Sequence, residues 1–383
     1  MRRLYAEVAV AQLSKTGEEL CGDKVEISRT EDTTTVVLSD GLGSGVKANI
    51  LATMTTKIAS SMLKRGIPME EVVSTIAETL PVCRERKIAY STLHILTLTA
   101  GGEVTVVEFD SPATFLFRAG QVVPFPTREK VIAGKLVREG QLSLQEDDVV
   151  IAVSDGVVHA GIGGLLKLGW GWEGVAAELT DISSGEVDIF RIAQQVLACC
   201  NGYYLDQPGD DSTVVAVKLR KPRRLAILTG PPEDPDEDGA VVRAFLAASG
   251  KKAVAGGTTA NIVSRVTGRP ITVDLEYSDP AIPPTASLEG LDLVTEGVLT
   301  LTAATERLGD GKMLRNATRQ DGATRLARLL LEADSIDFYA GMAVNPAHQN
   351  PLFPSQINIK TQVLAKLREK LEGLGKQVAI HWV

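Results

Sequence analysis

Two runs of branched apolar residues in the first half of the chain stop at the same three residues. VVLSDGLGSG (Val36 to Gly45) and VVIAVSDG (Val149 to Gly156) both read as buried strands that end in Ser-Asp-Gly. A carboxylate at the mouth of a core strand is a strong constraint, because burying a charge requires a partner for it. Read locally, Asp40 is either a cap for the following helix or part of a glycine turn. Two further acids extend the pattern: Asp23 in CGDKVEI and Asp210 in GDDSTVV precede strands instead of ending them. In an antiparallel sheet the end of one strand lies beside the start of its neighbour. Asp23, Asp40, Asp155 and Asp210 can therefore gather on one edge.

Such a cluster requires bound cations or bound protons, since two carboxylates about 4 Å apart repel by about 4 kcal/mol at an effective dielectric of about 20. The nearest basic residues in sequence, Lys24 and Lys47, are thin compensation. Donors that are all oxygen, with no cysteine or histidine constellation, select Mg²⁺ or Mn²⁺ over zinc or copper. Gly41 and Gly156 permit unusual backbone angles, and a glycine carbonyl can come close enough to be a ligand itself. His94, within LHILTL, reads as a core residue, and His159 as a loop residue.

The rest of the first half is β-rich, with helices grouped apart. Val25 to Ile27 and Thr34 to Leu38 form a hairpin across RTED. An amphipathic helix over Val46 to Lys64 stops at Gly66, and a second begins after Pro68 as MEEVVSTIAETL, Met69 to Leu80. Further hairpins turn at Gly101-Gly102 and Ala119-Gly120. The pattern changes at KLRKPRR, Lys218 to Arg224, a basic run that reads as a solvated linker. Beyond it strands and helices alternate: LAILTG, DGAVVRAFLAASG, KKAVAGG, TTANIVSRVTG, then LDLVTEG, SIDFYAG and KQVAIHW. The sequence thus predicts an α+β layered domain over residues 1–219 and a second α/β domain with a mostly parallel sheet over 220–383. A chain of 383 residues is long enough for two cores.

Composition excludes several classes. A net charge of -8 argues against a nucleic-acid footprint. No apolar run approaches the roughly 18 residues of a membrane span. MRRLYAEVAVAQL is interrupted by Glu7 and alternates like a strand, so no export signal is expected. Cys21, Cys83, Cys199 and Cys200 have neither disulfide-framework nor zinc-finger spacing, which suits a reducing cytoplasm. The Asn316-Ala317-Thr318 sequon carries no weight without secretion. Neither GxGxxG nor a phosphate-binding GxxxxGK[ST] loop is present around Gly41 or Gly230.

Together Gly22-Asp23, Ser39-Asp40-Gly41-Leu42-Gly43-Ser44-Gly45, Ser154-Asp155-Gly156-Val157 and Asp210-Asp211-Ser212-Thr213 make the stretch from about Glu7 to Leu219 resemble the metal-dependent protein phosphatase (type 2C) superfamily. The similarity is to its bacterial serine phosphatases of the stage II sporulation protein E kind. The resemblance implies an α/β/β/α sandwich whose sheet edge carries two Mn²⁺ or Mg²⁺ ions. By that resemblance Asp40 bridges both ions, the Gly41 carbonyl binds one, Asp155 and Asp210 hold the other, and Asp23 acts directly or through water; Asp211 orients the site. The implied activity is hydrolysis of phosphoserine or phosphothreonine on a bacterial regulatory protein by an activated water. Leu42 stands where animal-type members carry a histidine, as in sporulation-type members, so the general acid is unassigned. The phosphate-gripping arginine of the animal enzymes has no counterpart near Asp23. The paired helices after Gly45 resemble a regulatory switch. A signalling module with residual catalysis and a phosphatase of small phosphometabolites are the competing readings; a homodimer is compatible with any of them.

For the second domain the reading rests on physics alone. Gly230-Pro231, Gly256 to Asn261, Thr295-Glu296-Gly297 and Asn345 to Asn350 follow apolar runs, where open parallel sheets bind ligands. Gly256-Gly257-Thr258-Thr259 before a helix suits a small anion, so the domain is expected to sense such a ligand or to dock a partner.

Overall fold

The computed structural model describes residues 4–79, 91–145, 147–182, 188–274, 281–309, 314, 320–343 and 356–383. Cys83, Leu80, the 316–318 sequon and the 345–350 loop lie outside the described residues. The chain divides into two compact units, Met1–Lys221 and Pro222–Val383.

The first unit opens with β1 (Tyr5–Leu13), β2 (Asp23–Arg29) and β3 (Thr33–Asp40), followed by helices α1 (Gly45–Lys64) and α2 (Met69–Thr79). Three hairpins come next: β4 (Leu93–Thr99) with β5 (Glu103–Phe109), β6 (Phe115–Arg118) with β7 (Gln121–Pro124), and β8 (Arg128–Ile132) with β9 (Lys135–Ser143). Strand β10 (Val149–Val153), the short helix α3 (Asp155–Val158), helices α4 (Gly171–Ile182) and α5 (Ile189–Tyr203), and β11 (Ser212–Arg220) complete it.

These strands form two antiparallel sheets, ordered β1-β11-β10-β6-β7 and β2-β3-β4-β5-β9-β8. Alternation of side chains along each strand then assigns three layers of core. Val36, Leu38, Leu96, Val106, Val150 and Val215 fill the space between the sheets. On the outer face of the six-stranded sheet, Val37, Ile95 and Val107 pack against Ala59, Val72 and Ile76 of α1 and α2. On the other outer face, Ile151, Val214 and Phe115 pack against Val175, Leu179, Ile192 and Val196 of α4 and α5. The unit is an α/β/β/α sandwich. Helix α1 buries mainly small residues, Ala48, Ala52, Thr55, Thr56 and Ala59, and so lies close to its sheet.

Hairpin β8–β9 had no expected counterpart. Its residues are mostly half-exposed or exposed, and charged or polar residues fall on both faces, which masks the strand period. Its turn, Ala133-Gly134, has positive φ at both positions (48° and 73°), the conformation usually signalled by Asn-Gly. The basic KLRKPRR run is not all linker: Lys218 and Arg220 belong to β11, and Arg220 pairs with Glu7 at 2.9 Å and lies over the Tyr5 ring.

The second unit contains β12 (Arg224–Thr229), α6 (Asp238–Ala247), β13 (Lys251–Ala255), α7 (Gly257–Thr267), β14 (Thr272–Val273), β15 (Ala286–Ser287), β16 (Leu293–Thr295) and α8 (Val298–Arg307). It continues with α9 (Gly322–Glu332), β17 (Ser335–Ala340), α10 (Gln356–Gly373) and β18 (Gln377–Trp382). The sheet order is β14-β15-β16-β13-β12-β17-β18. Five strands from β16 to β18 are parallel, and β14 and β15 add an antiparallel edge. Separate cores on the two faces of this sheet draw on α8, α9 and α10 for one and α6 and α7 for the other. Strand order reverses between β12 and β17, the place where doubly wound sheets open a crevice.

Candidate active site

Asp23 and Asp40 are the end residues of their strands and sit directly opposite each other in the β2–β3 register. Both share the parity of Val25 and Leu38, which face the space between the sheets. The two carboxylates therefore stand at the mouth of that space. The other sheet supplies Asp155, the first residue of α3 just past β10, and Asp210, two residues before β11. Repulsion from Asp155 acts on Asp23, Asp40 and Asp210 alike, and Asp155 also hydrogen-bonds the Asp40 side chain. All four acids share one edge.

Their surroundings make ionisation costly. Asp23 is fully buried, and desolvation followed by the charges of Asp211 and Asp155 raises its pKa, against hydrogen bonds from Thr213 and Ser154. Burial is also the main cause that raises Asp40, to about 9, with Asp23, Asp155 and Asp210 adding to it. Asp210 is raised by burial and then by Asp155. Oδ2 of Asp23 accepts from Thr213 Oγ1 at 2.7 Å, whereas Oδ1 is out of solvent and has no hydrogen-bond partner.

That orphaned oxygen, together with an all-oxygen donor set under mutual repulsion, fits a hard divalent cation. Among the described residues no group of three or more His, Cys, Asp or Glu side chains is arranged as a ready metal site.

The glycines are fixed by crowding. A Cβ on Gly41 would lie 2.0 Å from the Ala48 carbonyl oxygen, and one on Gly156 would lie 2.0 Å from that of Asp211. In both cases backbone passes where a side chain would be, so the Asp-Gly pair answers a packing demand of α1 and β11. Ser44 sits at the N-cap of α1 without capping it; its hydroxyl donates to Glu18 Oε1 at 2.8 Å.

Several supporting residues carried little sequence signal. Thr213 links the two sheets: its N–H donates to Ser154 Oγ at 2.8 Å and its hydroxyl to Asp23, while Gln12 Nε2 donates to Thr213 Oγ1 at 3.1 Å. Thr92 Oγ1 accepts the Asp40 N–H at 2.9 Å. Asp211 is buried and accepts the Lys15 N–H at 3.0 Å, which ties the loop before Asp23 to β11. Tyr204 donates to the Gly156 carbonyl at 2.7 Å. His159 Nδ1 lies 3.8 Å from Asp155 Oδ2, and His94 is wholly buried, with burial lowering its pKa to about 4.

In the second unit, the described clusters fall at the carboxyl ends of β12, β13 and β16, and Gly256-Gly257 opens α7. A Cβ on Gly257 would lie 3.0 Å from Glu296 Oε1. That carboxylate already faces the helix start, which works against an anionic ligand there. At the β12–β17 reversal, Lys360 Nζ donates to the Gly341 carbonyl at 2.7 Å.

Comparison with known families assigns the sandwich to the PP2C-type phosphatase domains. Residues 30–220 match the family model described as Stage II sporulation protein E (SpoIIE), and the first unit belongs to that family of serine/threonine phosphatases. Among solved structures, the SpoIIE phosphatase domain from Bacillus subtilis is 20% identical, over 58% of this chain and 95% of that one, with a TM-score of 0.45. The RsbU and RsbW domains of a Mycobacterium tuberculosis protein are 18% identical over 64% and 69%, with a TM-score of 0.47. RsbX in complex with magnesium is 17% identical over 57% and 100%, with a TM-score of 0.42. No curated protein sequence matches the chain.

The clustered acids make the stability of the metal-free protein pH-dependent. Asp23, Asp40 and Asp210 have raised folded-state pKa values, so the folded chain keeps protons that the unfolded chain has released. Stability should therefore fall as pH rises from the ordinary carboxylate value of 3.8 through about 9. Chelator-treated protein should melt at a lower temperature near pH 8 than near pH 6, and Asp40→Asn should flatten the trend. A melting temperature that rises over that interval in the wild type would contradict the reading.

Proposed function

We propose that the first unit hydrolyses phosphoserine or phosphothreonine on a bacterial regulatory protein, using two Mn²⁺ or Mg²⁺ ions held at the shared sheet edge. The observation that carries this is the meeting of Asp23 and Asp40 from one sheet with Asp155 and Asp210 from the other, with Asp23 Oδ1 buried and unpartnered. Asp40, the Gly41 carbonyl, Asp155 and Asp210 would hold the ions, with Asp23 acting directly or through water. When bound, such ions offset phosphate charge and make water a nucleophile near neutral pH.

The chain's own residues position this edge. Thr213 and Ser154 orient Asp23, Thr92 fixes the backbone of Asp40, and Tyr204 anchors the Gly156 carbonyl beside Asp155. The outer face of α1 leaves Val46, Ile50 and Met54 exposed at a four-residue spacing, which supports a regulatory role for the α1–α2 pair. The second unit is assigned a sensing or docking role. Among the described residues no helix is long and apolar enough to cross a membrane. A cytoplasmic setting is supported by the free thiols of Cys21, Cys199 and Cys200.

A direct comparison of substrate classes tests the reading. With saturating Mn²⁺, kcat/KM for phosphoserine peptides should exceed that for sugar phosphates and nucleotides by at least about tenfold, the factor that about 1.4 kcal/mol of extra binding supplies. The reverse order would make the enzyme a metabolite phosphatase.

A further inference from the structure

A cavity of about 790 Å³ in the first unit begins at Asp155 and His159 and runs along the six-stranded sheet. One wall carries a polar row in register across three strands, Glu108 opposite Arg138 and Arg138 opposite Glu129, and His94 lies opposite Glu108 in the core behind it. The row is wired from the core outward. Thr114 donates its N–H and its hydroxyl to Glu108 Oε1, at 2.7 and 2.5 Å, and His94 Nε2 lies 2.8 Å from the same hydroxyl. Glu108 Oε2 accepts no aligned hydrogen bond but lies 2.8 Å from Arg138 Nε, and Arg138 Nη2 donates to the Ser111 carbonyl at 2.7 Å.

The charge balance follows from that pairing. Glu108 is almost fully buried and cancels Arg138, which leaves the exposed carboxylates of Asp110 and Glu129, with Asp155, to set the sign of the cavity. The facing wall is apolar: Trp172 stacks on Phe115 at 4.6 Å and fixes its indole on the Ala113 carbonyl. Leu136 and Leu168, 56% and 88% exposed, border the same space. The Ser111 hydroxyl on the wall is out of solvent and has no partner. An occupant of this cavity is therefore amphipathic and cationic.

We propose that this cavity holds the segment of the phosphoprotein substrate next to its phosphorylated residue, with Glu129 and Asp110 taking a basic side chain and the Trp172 wall an apolar one. The inference rests on the proposed phosphatase function, because Asp155 belongs both to the candidate catalytic edge and to the cavity. Asp40 on β3 and Glu129 on β8 are four strand spacings apart, about 19 Å. An extended chain covers that in about six residues, and the reach of the two side chains shortens the separation to about four. Substrates should thus carry a Lys or Arg about four positions from the phosphorylated residue.

The test uses the full chain with saturating Mn²⁺ and phosphoserine peptides that differ only in bearing Arg, Ala or Glu four positions before or after the phosphoserine. Arg on one side should raise kcat/KM about tenfold over Ala, mainly through KM, and Glu there should lower it. Glu129→Gln combined with Asp110→Asn should erase the preference while leaving hydrolysis of a small aryl phosphate unchanged; asparagine tolerates the left-handed backbone of Asp110, φ 48°. Equal kcat/KM for all peptides, or a preference that survives in the double variant, would overturn the proposal while aryl phosphate turnover still supports the catalytic reading. Absence of metal-dependent aryl phosphate hydrolysis would remove the catalytic reading and this inference together.

Discussion

Asp40→Asn should lower kcat by at least about a hundredfold at saturating Mn²⁺, the upper range for outer-sphere changes at metal sites, which a direct ligand should reach or exceed. Asp40 is the acid on which burial and the charges of Asp23, Asp155 and Asp210 converge, so it stands where an ion would relieve the most repulsion. Asparagine keeps the volume and the backbone link to Thr92 but removes the charge. The fold should survive. In chelator the variant should be no less stable than wild type near pH 8, because the repulsion it removes has no compensating cation. Steady-state kinetics with Mn²⁺ titration, alongside a melting curve in chelator, reads both effects. Comparable turnover by variant and wild type would refute the assignment of Asp40 as a metal ligand.

Most of the elements that place the site are legible in the sequence because they are buried on one or both faces. VVLSD and VVIAV read as strands from their branched apolar runs, and both are β-strands with nearly every residue buried. The convergence of four acids follows from antiparallel pairing, since strand ends and starts adjoin. Finer placement was not legible. Asp23 and Asp40 lie within their strands, as a directly opposed pair, because the hairpin register is set by the tight turn at Thr30 to Thr33, which the polar RTED sequence does not specify. Hairpin β8–β9 is not legible in the sequence because its cavity-facing residues, Glu129 and Arg138, are charged where a core strand would be apolar. Thr213 was visible as part of a motif, but its role between the sheets depends on a partner 190 residues away in sequence, Asp23. In the second unit, strand and helix alternation is local and readable, whereas the reversal between β12 and β17 is a matter of sheet order, which local patterning does not encode.

Removing and restoring divalent metal should produce the largest change of all. Four carboxylates under mutual repulsion, with three of them held toward the protonated form, cannot by themselves activate water at neutral pH. Stripped of metal, the protein should therefore show no hydrolysis above background, and bound ions should restore it while also stabilising the folded state by mass action. The decisive measurement is aryl phosphate hydrolysis by the chelator-stripped, dialysed full chain as Mn²⁺ is added back. Activity should rise from background to a plateau, and the melting temperature should rise with it. Equal hydrolysis before and after addition, or none at any Mn²⁺ or Mg²⁺ concentration, would contradict a metal-dependent phosphatase centred on Asp23, Asp40, Asp155 and Asp210.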